Sequence, residues 1–467
     1  MTSTTSASET DESVVGHRDI TEHIADYIVT ARQVSTTEPD RHAAFKCILD
    51  LVGSAWAGID EPGTRAIRSA AQATLGGGDT PIWFTGARSS PIGAAWANSA
   101  AASALDLDDG HRLARGHPGA AVIPTALAVG TETNADVDDV ITAIGIGYEI
   151  GVTIAAARAS YGNTGTWSAY ATVATAAALR RSSADVIAHA LAIAGESSPN
   201  QLFASAPAPR TPAPEGSALK EGIPWSVVTG LLALNLAQAG HTGPRNILDG
   251  TRLYTFSRPL ALGSAHHIVN TYFKLYACCR HVHAPVDAFS SLVLQHGIDP
   301  ATIDAIEVAT TNGALRISNR IAPQNLIDIQ YSIPYCLGLV AATGDQSLLP
   351  LTAASLNNDD ATAIAEKVTL RCDPDFDSRF PARTFARVTI DCGDRRFVSE
   401  DTEPRGDASH PLSWGDLEEK FKRATRLVAS NEEQSQVLDA ARRMKNGSAS
   451  AFDQLTTLVA DRVVIHA

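Results

Sequence analysis

LDLDDGHRLARGHPGAAVIP, residues 105–124, carries most of what the chain says about its fold. Upstream, residues 94–104 are a run of Ala, Asn, Ser and Trp that fits a buried helix. Downstream, residues 120–129 are an apolar run of the same kind. Between them Asp106, Asp108, Asp109, His111, Arg112, Arg115 and His117 fall within twelve positions, and Gly116, Pro118 and Gly119 shape an irregular backbone around His117. Ionisable groups at this density beside core are costly unless paired or used. A solvated, salt-bridged loop is the plain alternative. The flanking small residues let helices approach closely, which predicts a dense helical bundle rather than a sheet.

The whole-chain numbers narrow the classes. At 467 residues the chain exceeds one ordinary core, so two domains are expected. A net charge of -14 and the lack of any Lys/Arg cluster argue against nucleic acid or an anionic membrane as partner, because phosphate binding needs a basic surface. An anionic small molecule remains compatible, since local cations decide that. Cys47, Cys278, Cys279, Cys336, Cys372 and Cys392 form no CxxC pair, which indicates neither a disulfide framework nor a zinc ribbon and fits a reducing, cytoplasmic setting. Residues 1–18, rich in Ser and Thr with Glu9, Asp11 and Glu12, read as a disordered tail and not as a signal or transit peptide. No run reaches the roughly 18 uninterrupted apolar residues of a membrane span.

Along the chain, apolar positions recur at three and four over residues 19–58, predicting two amphipathic helices. Residues 82–84 read as a short extended piece. Residues 137–160 form one long helical candidate with Asp136 as N-cap and Glu149 as a polar interruption that either pairs inside the bundle or acts in chemistry. A hydroxyl-rich loop, residues 161–167, precedes a helix over 168–180 whose N-terminus suits an anion. Residues 205–216, with four prolines, read as a surface connection. Lys220 stands just ahead of an apolar helix over 226–239, where it opposes the macrodipole and needs an anionic partner.

The texture changes after Gly263. The segment YFKLYACCRHVHAP, residues 272–285, concentrates Lys274, Cys278, Cys279, Arg280, His281 and His283. Its i, i+2 spacing with an Arg between is not a usual zinc pattern, so no metal site is expected. Strands are predicted over 303–310 and 367–372, with a hairpin of 386–392 and 396–400 across Gly393-Asp394. Helical periodicity returns from Trp414. The expected fold is mainly α: a discontinuous helical domain (19–265 and 412–467) holding a smaller inserted α+β lid (266–411).

Five segments in order resemble the MmgE/PrpD family: the Asp-hydrophobic-Asp-Asp to His-Pro-Gly stretch at 106–119, Thr-Gly-Thr-Trp at 164–167, Lys-Glu-Gly-Ile-Pro-Trp and Gly-Pro at 220–244, Lys-x-Tyr-x-Cys-Cys-Arg-His-x-His at 274–283, and Tyr-Ser-Ile-Pro-Tyr at 331–335. The resemblance implies a homodimer with a cofactor-free active site between two domains, acting on a small carboxylate anion. By position it puts catalytic roles on Asp106, His117, Lys274 and Tyr335 and a basic site residue on Lys220, which with Arg280, His283 and Cys279 of the titratable segment makes the expected substrate-binding set. Its members include 2-methylcitrate dehydratase, cis-aconitate decarboxylase and iminodisuccinate epimerase, whose shared step makes or breaks a bond at a carbon beside a carboxylate. Fixed cations stabilise the charge that develops, and a histidine such as His117 carries the proton. Hydro-lyase chemistry of the 2-methylcitrate dehydratase type is expected first. A decarboxylase or epimerase is the sibling alternative, and an inactive binder of anionic metabolites the alternative of another class. Gly110 and Gly162 depart from the family pattern.

Overall fold

The computed structural model describes residues 18–160, 162–199, 218–257 and 260–460. The predicted tail, residues 1–18, lies outside them except for Arg18, and the proline-rich connection at 205–216 lies wholly outside them. The protein is mainly helical, with short strands. Its larger core is a pack of helices in which Val137–Ala157 is surrounded by Gly119–Thr133, Gly165–Leu179 and Glu38–Ala57. Asp136 caps Val137–Ala157 as predicted, its side chain accepting from the Asp139 backbone N–H. This helix is long and apolar enough to cross a membrane, yet 78% of its apolar stretch is buried inside the protein, where packing already explains its composition.

Small residues set the helix spacing. Gly230 on Ile223–Gln238 faces Gly165–Leu179 so closely that a Cβ there would stand 2.6 Å from the Ala169 carbonyl oxygen. Any side chain at this position would push the two helices apart.

Chain 276–392 builds a second hydrophobic cluster. A four-stranded sheet runs in the order Val368–Cys372, Ala305–Thr310, Arg387–Cys392, Arg395–Val398, with the first pair parallel and the others antiparallel. The strands and the Gly393-Asp394 turn stand where the alternation placed them. Arg280–His296 and Ile333–Thr343 pack with this sheet region through Phe289, Leu292, Ile333 and Leu337. The chain then returns: Leu417, Phe421, Val437, Met444 and Leu455 of Trp414–Thr425, Asn431–Lys445 and Ala449–Ala460 belong to the first cluster.

Three helices begin earlier than periodicity suggested, at Gly165, Ile223 and Arg280. Their first turns, Gly-Thr-Trp at 165–167, Ile-Pro-Trp at 223–225 and Arg-His-Val-His at 280–283, mix apolar residues with glycine, proline and polar ones, so no regular apolar spacing extends into them. The third early start puts His281 and His283 on the first turn of a helix.

Residues 105–109 stitch the two clusters together. Leu105 and Leu107 are buried in the second, while Asp109 is held by the first, through Tyr148 Oη and the Gly119 N–H. In this irregular turn Leu105 and Leu107 face the second cluster, Asp106 faces the cavity and Asp109 meets Tyr148.

Candidate active site

Between the two clusters lies a cavity of about 440 Å³, within the range of small-molecule sites. Asp106 and His117 line it, at either end of the loop read first in the sequence. A short antiparallel pairing of Gly110–His111 with Thr271–Tyr272 ties that loop to the start of the second motif-rich segment. Three non-glycine residues on the cavity wall, Asp106, Arg115 and Glu221, have φ near +50°. Strained backbone gathered in one place marks a site whose geometry the surrounding fold enforces.

His117 is 6% exposed, and its Nδ1 lies 2.8 Å from the Asp109 carbonyl oxygen. A carbonyl only accepts, so Nδ1 carries a proton and Nε2 is the nitrogen left for exchange. Nε2 is 3.5 Å from Asp106 Oδ1. The His117 backbone N–H donates to Thr164 Oγ1 at 3.2 Å. Asp106 is bound by two ammonium groups: Lys274 Nζ donates to its carboxylate and, at 2.9 Å, to its backbone oxygen, and Lys220 Nζ stands 3.1 Å from Oδ2. Burial pushes the Asp106 carboxyl up, but Lys220, Lys274 and His117 together hold it well below the usual carboxylate range.

Lys220 also donates to Tyr331 Oη at 2.7 Å, and Tyr331 Oη donates to Glu221 Oε1 at 2.9 Å. Glu221 Oε2 accepts from the Thr164 hydroxyl at 2.7 Å and from its N–H at 3.2 Å. The ring closes on itself: His117, Asp106, Lys220, Tyr331, Glu221, Thr164 and back to His117. The anion expected at the N-terminus of Gly165–Leu179 is thus the protein's own Glu221 carboxylate. Burial raises that carboxyl, and His117 and Lys220 bring it below its ordinary value.

Not every predicted residue reaches the cavity. Tyr335 is fully buried in the second cluster, where Oη donates to the Ser355 carbonyl at 2.8 Å and accepts from the Asn358 N–H. Ser332 caps Ile333–Thr343, which turns Tyr335 inward and leaves Tyr331, ahead of the cap, on the cavity wall. His283 is likewise occupied: Nδ1 accepts from Arg280 at 3.3 Å and Nε2 donates to the Cys278 carbonyl at 3.2 Å. Burial, with Arg280 and Lys274 nearby, holds His283 neutral. Lys274 is fully buried behind Asp106 and meets the site only through it. Cys279 does line the cavity, but burial and Asp106 push its thiol up to about 12, opposite to activation by the neighbouring guanidinium.

Arg280 lines the wall beside Arg112, and both guanidiniums face the Tyr272 ring, at 4.6 and 5.5 Å. Both are also paired with one carboxylate, Asp407, Arg280 at 3.1 Å from its Oδ1. Two cations sharing one anion leave net positive charge on the wall. Gly110 explains itself here, since a Cβ would stand 2.3 Å from Tyr272 Oη. Glycine at 110 thus makes room for that aromatic platform. Gly162 contributes a carbonyl to Arg158 at 2.9 Å. Glu149 pairs inside the bundle, accepting from the Gly263 and His267 N–H groups.

Behind the loop sits a buried acid cluster that the sequence did not single out as such. Lys420 pairs with Asp50 and donates to the Leu107 carbonyl at 2.8 Å. Burial together with Asp50 raises the Asp109 carboxyl to about 7, and Asp50 itself rises to about 6 through burial, opposed by Lys420. Among the described residues, Asp106, Asp108 and His117 are the one trio whose ligand atoms lie within 4.8 Å of each other. They suit a metal poorly. Both Asp106 oxygens face ammonium groups and His117 Nδ1 is spent on a carbonyl, which leaves only Asp108 with oxygens lacking a hydrogen bond.

Comparison with known proteins gives matches over most of the chain. The model of the MmgE/PrpD N-terminal domain matches residues 22–259, and that of the MmgE/PrpD C-terminal domain matches residues 276–446. The cis-aconitate decarboxylase of Aspergillus terreus is 26% identical over 407 residues, covering 78% of this chain and 81% of that protein, and the same enzyme from strain NIH 2624 / FGSC A1156 gives the same figures.

Proposed function

Because the chain belongs to the MmgE/PrpD family, we propose that it is a cofactor-independent lyase that works at a carbon beside a carboxylate of a small di- or tricarboxylic acid. The observation that carries this reading is the pair of proton carriers on one cavity, His117 through Nε2 and Tyr331 through its hydroxyl, with Lys220 bonded to the Tyr331 oxygen. In a hydro-lyase of the 2-methylcitrate dehydratase type, His117 takes the proton from the carbon. The electron pair moves into the adjacent carboxylate, held by Arg280 and Arg112, and returns to form the double bond as the hydroxyl departs. Tyr331 gives that hydroxyl its proton, so water leaves. Donors fixed in a site with little water stabilise the intermediate most effectively. Asp106, with Lys274 and Lys220 around it, fixes the charge distribution facing His117 Nε2.

The similarity to cis-aconitate decarboxylase favours a second reading, a carboxy-lyase. There the carbon–carbon bond breaks, carbon dioxide leaves, the electron pair delocalises into a remaining carboxylate, and one of the same two groups protonates carbon.

We place the protein in the cytoplasm, consistent with six free thiols, and as a homodimer. Trp225, Leu232 and Leu236, all more than 40% exposed, form one stripe on Ile223–Gln238 suited to a partner subunit. Incubation with citrate, 2-methylcitrate and cis-aconitate, following conjugated double-bond absorbance and carbon dioxide release, tests the proposal. Absorbance gain without gas marks a hydro-lyase, and gas marks a carboxy-lyase. Turnover should survive chelation. Inactivity on the whole panel and on related di- and tricarboxylates would refute the lyase reading.

A further inference from the structure

One part of the cavity wall differs in chemistry from the part just described. The residues around the proton carriers are charged: Asp106, Glu221, Arg112 and Arg280. The stretch contributed by residues 312–317 and 377–384, together with His281, presents Ile317, Phe380 and Pro381. The His281 ring lies 5.4 Å from that of Phe380, and the backbone of Gly313 runs against the imidazole, where a Cβ would come within 3.1 Å of Cε1. Burial and the nearby Arg112 lower the His281 pKa to about 4, so this imidazole is neutral at ordinary pH. The carboxylate in this stretch, Asp377, accepts from the Asn312 N–H at 2.8 Å and repels any anion brought beside it. The guanidinium of Arg316 sits at an exposed position, where water screens it. A substrate with carboxylates at both ends would put one of them against Phe380, Pro381 and Asp377.

We propose that the physiological substrate is a carboxylic acid whose carboxylates are grouped at one end and whose other end is an uncharged, mainly apolar substituent lying against Phe380, Pro381, Ile317 and His281. This rests on the carboxylate-lyase reading of the same cavity and specifies the class within it. The arginine pair and the proton carriers take the carboxylate head. The surface of Ile317, Phe380 and Pro381 takes an alkyl or aryl group, and removing that surface from water supplies affinity that a bare citrate-like acid lacks.

Titration calorimetry on the purified full-length protein with succinate and its 2-methyl, 2-propyl, 2-pentyl and 2-benzyl derivatives tests this without turnover. The expected result is a Kd that falls by about fourfold for each buried methylene, with the increment shrinking in the Phe380→Ala variant. Succinate binding with a flat or worsening series overturns the inference and leaves the lyase reading standing. An undiminished series in Phe380→Ala also overturns it, because the tail would then lie elsewhere. Failure of the entire series to bind, succinate included, removes the carboxylate reading and this inference with it.

Discussion

Tyr331 and Tyr335 stand about one helical turn apart, and the difference between them is a cap. Ser332 accepts from the Tyr335 N–H and starts the helix, so Tyr335 faces the second cluster while Tyr331 meets Lys220 and Glu221. Tyr331→Phe should therefore lower kcat on whichever acid is turned over. Tyr335→Phe should leave kcat unchanged and cost about 1 kcal/mol of stability for a lost buried hydrogen bond, which steady-state assays and urea unfolding of the two variants will separate. His117→Ala should reduce kcat by about 10² to 10⁴ with little change in KM, as loss of a general acid–base does. A variant with near-normal kcat would remove His117 from the chemistry. Lys274 is sealed behind Asp106, so Lys274→Met should act on folding first. Leaving a buried carboxylate with one partner fewer costs about 3–5 kcal/mol, read from the urea midpoint, and KM should move little because the ammonium touches no cavity space.

At the scale of elements, the loop of residues 105–119 is held from behind by groups on three helices: Lys420 of Trp414–Thr425, Asp50 of Glu38–Ala57 and Tyr148 of Val137–Ala157. This cluster makes stability depend on pH with a definite sign. Asp109 has its folded pKa raised to about 7 by burial and Asp50, against roughly 4 in an unfolded chain. The folded state then binds the proton more tightly. The stability this contributes is fully present below pH of roughly 4 and is lost as pH rises through about 7. Asp106, depressed, works in the opposite sense and only below the ordinary carboxylate range. His281 and His283, held neutral by burial, add stability as pH rises through the unfolded histidine range, so the Asp109 contribution is read as a difference: from pH 5 to pH 8 the urea midpoint of the native protein should fall relative to that of Asp109→Asn, which cannot ionise. An unchanged slope in the variant would assign the titration to another group.

For the whole molecule, the exposed stripe of Trp225, Leu232 and Leu236 makes a dimer the expected state in light scattering, and Leu232→Glu with Leu236→Glu should shift it to monomer. A dimer that persists in the double variant would place the interface elsewhere. Much of the architecture is local in origin and so readable in sequence. Helices follow from three- and four-residue apolar spacing, strands 305–310 and 387–392 from alternation, and the density of charge between two buried runs singles out the loop 105–119, which lines the cavity. Asp106, His117 and Arg280, which line the cavity, were legible for that reason, since they sit in segments where charge is concentrated beside core. What only the tertiary structure decided is which neighbour each polar group meets. Lys274 and His283 belong to a motif dense in titratable groups, yet one lies behind Asp106 and the other faces a carbonyl. Glu221 gave no periodic signal, and it joins Thr164 to Tyr331 across more than a hundred residues. Periodicity reports the face of an element that is buried. The orientation of a side chain within the first turn of a helix, and the partner it finds on a distant segment, depend on caps and on the packing of two clusters against each other, which no local spacing encodes.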